Sequence, residues 1–252
     1  MKELAASLKK YCKKCEVGVI LVNEESMSMG KRFLGVLFSP VKTFKAIGED
    51  PRILVPAVVF IAVVALLTAL IIPETQELTR MIMQKNPQVT ADMIEKSVKW
   101  AGIGAIIGAI VGMPILWLIQ AGLLALFNQL SIGQATFKQL FAVSIFSSMP
   151  SLINSIVTTG LTKTMGAKSM LSIKTSLALL LPPGQDSGFL FNFLNSANLF
   201  SIWALVLLSI GGGVVMNKEG KKVGIYVFAL WLVFILASSI LSTKFGAGTP
   251  KL

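Results

Sequence analysis

Residues 53–72 read ILVPAVVFIAVVALLTALII, twenty positions with no charge. About 20 mostly apolar residues cross the hydrocarbon of a bilayer as a helix. Four further stretches meet the same test: 101–130, 139–161, 199–216 and 223–241. None of the five contains Asp, Glu, Lys, Arg or His. A sixth run, SLALLLPP at 176–183, is too short to span and reads as a re-entrant or interfacial piece. The expected fold is therefore all-α: a polytopic membrane bundle of five transmembrane helices.

Composition agrees. The chain of 252 residues is 54% hydrophobic and 14% charged, against about 25% charged in soluble domains. Its formal charge is +11. Ten basic residues precede the first span: Lys2, Lys9, Lys10, Lys13, Lys14, Lys31, Arg32, Lys42, Lys45 and Arg52. A basic flank beside a span marks the cytoplasmic side and meets anionic head groups, a better account than nucleic acid, which is not expected as a partner. Five spans put loops 131–138 and 217–222 on the N-terminal side, with Lys138, Lys218, Lys221 and Lys222. Fewer basic residues fall on the other side. The expected setting is the cell membrane, multi-pass, with a cytoplasmic N-terminus and an external C-terminus. No apolar signal core with a cleavage site opens the chain, so the first long run reads as an uncleaved anchor.

Working back from residue 53, the preface is KRFLGVLFSPVKTFKAIGEDPR, residues 31–52. Ser39 before Pro40 predicts a helix with a serine cap and proline at its first position. Val41, Phe44 and Ile47 recur at steps of three on one face, with Lys42 and Lys45 opposite. This predicts an amphipathic helix lying at the membrane surface, apolar face down and lysines toward lipid phosphates. It reads either as an anchor for span one or as a docking or lipid-sensing element. Between spans one and two, Pro73-Glu74 and Thr90-Ala91-Asp92 each predict a helix start, with a break at Asn86-Pro87 and Trp100 at the interface. The organisation is a basic head with a CxxC (1–30), an interfacial segment (31–52), the five-span domain (53–242) and a short tail (243–252).

LFSPVKTFKAIGEDPRILVP (37–56), TSLALLLP (175–182) and NLFSIWALVLLSIGGG (198–213) together resemble the bacterial branch of the Yip-domain family. These are five-span membrane proteins related to the eukaryotic Ypt/Rab-interacting proteins. The resemblance covers residues 31–242 and implies a helical five-span fold with a cytoplasmic N-terminus. Eukaryotic members carry a long cytoplasmic region and an Asp-Leu-Tyr-Gly-Pro-type motif, neither of which occurs here, so Rab binding is not implied.

Three constellations remain. Gly104, Gly108 and Gly112 form a small-xxx-small face in span two, read first as tight packing inside the bundle and second as a self-association face; Pro114 after it predicts a kink. Ser144, Ser148, Ser151, Asn154 and Ser155 line one side of span three around Pro150, read as interhelical hydrogen bonding or as a hydrated path. Cys12 and Cys15 have zinc-ligand spacing, but four ligands make a structural site and no other Cys or His occurs, so only half a metal site is present and no cofactor is expected beyond a zinc shared with a second chain. With no intramembrane ionisable group and no nucleophile–base pair, the expected function is non-enzymatic: a scaffold or accessory subunit for other membrane proteins or transport machinery, partnered by another membrane protein or by itself. The alternative is a small transporter or channel for an uncharged or sodium-coupled substrate along the polar face of span three.

Overall fold

The computed structural model describes residues 27–172, 175–182 and 188–245. Within them the chain is helical, and the β-structure is one isolated bridge, Ser176 with Asn198. It opens on a helical hairpin, α1 (Met29–Phe38) and α2 (Pro40–Glu49), joined through Ser39 alone. Pro40 sits at the start of α2, where its missing N–H is no loss. The expected serine cap does not form: the Ser39 side chain makes no capping bond. Instead the Ser39 carbonyl accepts from both the N–H and Oγ1 of Thr43.

The first apolar run forms α3 (Leu54–Leu70), which turns by 54° into α4 (Ile72–Gln84). Pro73 falls in the first turn of α4 and cannot continue the ladder of α3. As expected, the loop breaks at Asn86-Pro87 and restarts with Thr90 Oγ1 accepting the Met93 N–H. Helix α5 (Ala91–Ile107), a π-helical turn (Gly108–Gly112) and α6 (Met113–Leu130) form one 40-residue rod. A π turn stands just ahead of Pro114, the position at which the sequence predicts a kink. Proline there leaves a carbonyl without its donor, and a widened turn absorbs the mismatch.

Helix α7 (Phe137–Ser147) starts with a reciprocal capping box between Thr136 and Gln139. Ser148 separates it from α8 (Met149–Met165), with Pro150 in the first turn. A one-turn helix α9 (Ser169–Ser172) and a 3-10 turn (Leu177–Leu180) follow, then α10 (Phe189–Ser196), α11 (Leu199–Met216) and α12 (Gly220–Phe245). Asn217, in the left-handed conformation at φ 54°, makes the reversal between the last two. Among the described residues four helices are long and apolar enough to cross a membrane, or five with the bent α3–α4 pair taken as one span.

Helix α11 is the hub, packed by α2, α7, α8 and α12. Around it lie Val36, Phe44, Leu124, Val143, Phe146, Leu207, Met216 and Val223, all buried. A second cluster of Phe60, Val64, Trp117, Ile145 and Met149 sits beside it, with Phe60 edge-on to Trp117 at 5.3 Å.

Candidate functional site

The signature stretch 37–56 meets the glycine triad Gly211–Gly213, and the meeting is held at its mouth by an arginine. Arg32 shares the inward side of α1 with Val36 one turn on. Its side chain is 1% exposed. Its guanidinium donates to the Met27 carbonyl (3.0 Å), the Asp50 carbonyl (2.6 Å) and the Asp50 carboxylate (3.0 Å). Arg52 donates to the same Asp50 Oδ2 at 2.6 Å. Burial acts most strongly on Asp50 and raises its pKa; the bond and charge of Arg52, with those of Arg32, outweigh it and hold the carboxyl below the ordinary aspartate range. A buried guanidinium persists only with its donors matched, and three acceptors drawn from both ends of the hairpin do this. Arg32, counted by its charge with the basic flank that meets head groups, is instead buried in the mouth of the hairpin.

Helix α2 is fixed at its other side by Gln139, whose Nε2 donates to the Gly48 carbonyl at 2.8 Å while its Oε1 accepts the Thr136 N–H. One turn further, Phe44 lies against α11. A Cβ built on Gly211 would fall 2.9 Å from the Phe44 ring and 2.7 Å from Val143, and one on Gly213 would fall 2.8 Å from the Gly220 Cα. Phe44 and Ile47 are wholly buried in the bundle, so the expected placement of that face on lipid is corrected. Val41, expected on the same face, is 61% exposed, and Lys42 and Lys45 are exposed as expected.

The expected packing of Gly104, Gly108 and Gly112 inside the bundle is also corrected: nothing lies within 4 Å of a Cβ built on any of them. The glycines of the triad, by contrast, each take close contacts from neighbouring helices or the turn that follows. A packing partner for each of three consecutive glycines was the available signal, because consecutive residues face three directions around a helix.

The polar stripe is resolved hydroxyl by hydroxyl. Ser144 donates to the Leu140 carbonyl, Ser148 to Ser144 and Ser155 to Ser151, each within its own helical segment or across the Ser148 break. Trp117 Nε1 crosses from α6 to donate to Ser148 Oγ at 2.9 Å. Of the stripe, one interhelical bond is thus drawn, through the indole. Asn154 Oδ1, Gln120 Oε1 and Ser147 Oγ are buried and accept no bond from the described residues. At the far end, Lys163 pairs with Glu74 at 2.8 Å, tying α8 to the start of α4. The stretch TSLALLLP is bound to the head of α11: the Leu177 N–H donates to Ala197, the Leu199 N–H to Thr175, and Asn198 Nδ2 to Thr175 Oγ1. Two of the signature stretches, 37–56 and 175–182, therefore meet the third, which forms α11, one at each end of it. Cys12 and Cys15 lie outside the described residues.

These contacts define an all-helical membrane protein built on apolar spans, with a clamped N-terminal hairpin. A family model described as Yip1 domain matches residues 34–241, and the chain belongs to that family. Over 216 residues it is 29% identical to the membrane protein YknW of Bacillus subtilis (strain 168), covering 84% of this chain and 92% of that one. No solved structure matches it.

Proposed function

We propose that this protein is a non-enzymatic scaffold or accessory subunit for other membrane proteins or transport machinery, set in the cell membrane with its N-terminus cytoplasmic. The orientation is supported by the ten basic residues ahead of the first span, which also favour anionic lipid beside them. The partner reading is carried by one observation. The Gly104–Gly108–Gly112 face points outward with open space over each glycine, the form that lets another transmembrane helix approach closely. The test is co-purification of tagged protein in mild detergent, beside Gly108→Leu. A partner, or a second copy, retained by wild type and lost in the variant supports the reading. Wild-type protein that emerges alone and monomeric removes it.

A second reading, a path for sodium or an uncharged solute along span three, is favoured by the buried acceptors Gln120 Oε1, Ser147 Oγ and Asn154 Oδ1. Sodium flux into proteoliposomes that Asn154→Leu abolishes would support it, and no flux from wild type would sink it.

A further inference from the structure

We infer that the α1–α2 hairpin is a re-entrant element, inserted into the membrane leaflet on the N-terminal side, with Leu34, Phe38 and Val41 in contact with lipid acyl chains. The inference stands apart from any scaffold or transport role.

Register carries it. Gly48 lies level with Gln139, its hydrogen-bond partner, and with Val215, which a Cβ on Gly48 would meet at 3.2 Å. Phe44 lies level with Val143 and Gly211. Each step is four residues, on α2, α7 and α11 alike. Helix α2 therefore runs alongside two spans, with its N-terminal end pointing inward from their ends. Helix α1 returns beside it: Phe33 packs on Phe146 at 5.4 Å, and Leu37 reaches the cluster of Phe60, Trp117, Ile145 and Met149. Arg32 and Asp50 close the mouth of the hairpin.

The depth follows from the outward-facing residues. A Cβ on Gly212, next to Gly211, would meet Leu124 of α6 and Val223 of α12. Past Leu124 toward the same end, α6 still exposes Leu126 (50%) and Leu130 (73%). At 1.5 Å per helical residue the apolar exterior thus continues about 9 Å beyond the level of Phe44, and the hairpin tip at Pro40 lies about 6 Å deeper still. A tip about 15 Å within the apolar zone reaches halfway across a hydrocarbon layer of about 30 Å.

The hairpin's composition suits that depth. From Phe33 to Val41 there is no charge, and Leu34 (62%), Phe38 (82%) and Val41 (61%) form an outward apolar ridge continuous in character with Leu54 and Val55 of α3. Backbone groups in hydrocarbon must be bonded internally. At the turn, the Ser39 N–H donates to Gly35, the Ser39 carbonyl accepts twice from Thr43, and Pro40 has no N–H, which leaves the Val41 and Lys42 N–H groups as the donors without a bond among the described residues. Lys31, Lys42 and Lys45 are exposed along the flanks, Glu49 at the mouth. The stems of Lys31 and Lys45, nearer the mouth, can carry their ammonium groups toward lipid phosphates, a charge match for an anionic leaflet; Lys42, about 3 Å deeper than Phe44, is the hairpin's one charge set beyond that reach.

The test uses full-length protein in phosphatidylglycerol-containing liposomes, with Cys12→Ser and Cys15→Ser as background. Single spin labels at Phe38→Cys and Leu34→Cys are compared with Glu49→Cys at the mouth and Ile119→Cys on an exposed span face. Accessibility is read to oxygen, which concentrates in hydrocarbon, and to a water-soluble nickel chelate. The oxygen-to-nickel ratio at both hairpin sites should match that at Ile119 and stand several-fold above Glu49. Nickel access at Phe38 equal to Glu49, or exclusion of both reagents by a protein cover, overturns the inference. Two sites on one ridge keep the test decisive should one variant fail to fold.

Discussion

Alanine placed in the triad and alanine placed in the open glycine row should move stability in opposite directions. At Gly213 the obstruction is backbone: the new methyl would stand 2.8 Å from the Gly220 Cα, 3.0 Å from its N and 3.1 Å from the Lys218 carbonyl. Carbon atoms rest at about 3.5–4.0 Å. No rotamer relieves this, so the α11–α12 turn must open. Overpacking costs about 1–3 kcal/mol, and the upper end applies here. At Gly211 the obstructions are side chains, Val143 and Phe44, both fully buried. Some relief is available, and helix propensity returns about 1 kcal/mol for Ala over Gly, leaving a net loss of about 0–2 kcal/mol. At Gly108 the methyl meets nothing, so only the propensity gain of up to about 1 kcal/mol remains. Gly213→Ala and Gly108→Ala should thus lie about 3 kcal/mol apart. The assay is unfolding by SDS titration in mixed micelles, followed by tryptophan fluorescence. Gly213→Ala as stable as wild type, or Gly108→Ala as damaging as Gly211→Ala, would refute the packing assignment.

Phe44→Ala should cost about 3–5 kcal/mol in the same assay, since it empties a site shared by α2, α7 and α11; a surface-lying helix would lose almost nothing. Arg32→Lys should lose about 1.5–3 kcal/mol, because one ammonium cannot serve three acceptors fixed by a planar fork. Trp117→Phe should cost about 1 kcal/mol through the lost donor to Ser148, and Ser148→Ala in that background should add little. For pH, the Asp50 carboxyl is depressed in the folded state, so its contribution is full above the unfolded value near 3.8 and fades as pH falls through the lower folded value. Asp50→Asn should remove that acid-side component of the melting curve and leave the curve near neutrality without slope from this group.

Much of the helical plan can be read without coordinates because a bilayer imposes it. Uncharged runs of span length, the Thr90 start and the Asn86-Pro87 break all depend on neighbours within a turn or two, and all recur in the structure. The faces are a different matter. In water, an apolar face points to protein and a polar face to solvent. In a membrane both lipid and protein interior are apolar, so the same residue type serves either. Phe44 and Val41 carry the same signal and end on opposite sides. Gly104, Gly108 and Gly112 offer the stronger small-residue pattern, yet it is Gly211 and Gly213 that neighbours press on. Arg32 looks like a surface charge until Asp50, eighteen residues on, folds back over it.

The sequence by itself determined that this chain lives in a membrane, where its helices start and break, and which stretches mark its family, since these follow from local propensity and from the length and hydropathy a bilayer demands. Tertiary structure alone decided which apolar face meets protein, which glycines are contact points, and that the basic preface to span one closes on itself as a clamped hairpin. Those outcomes depend on shape fitting between helices far apart in sequence, and hydrophobicity carries no record of it when both surroundings are oil.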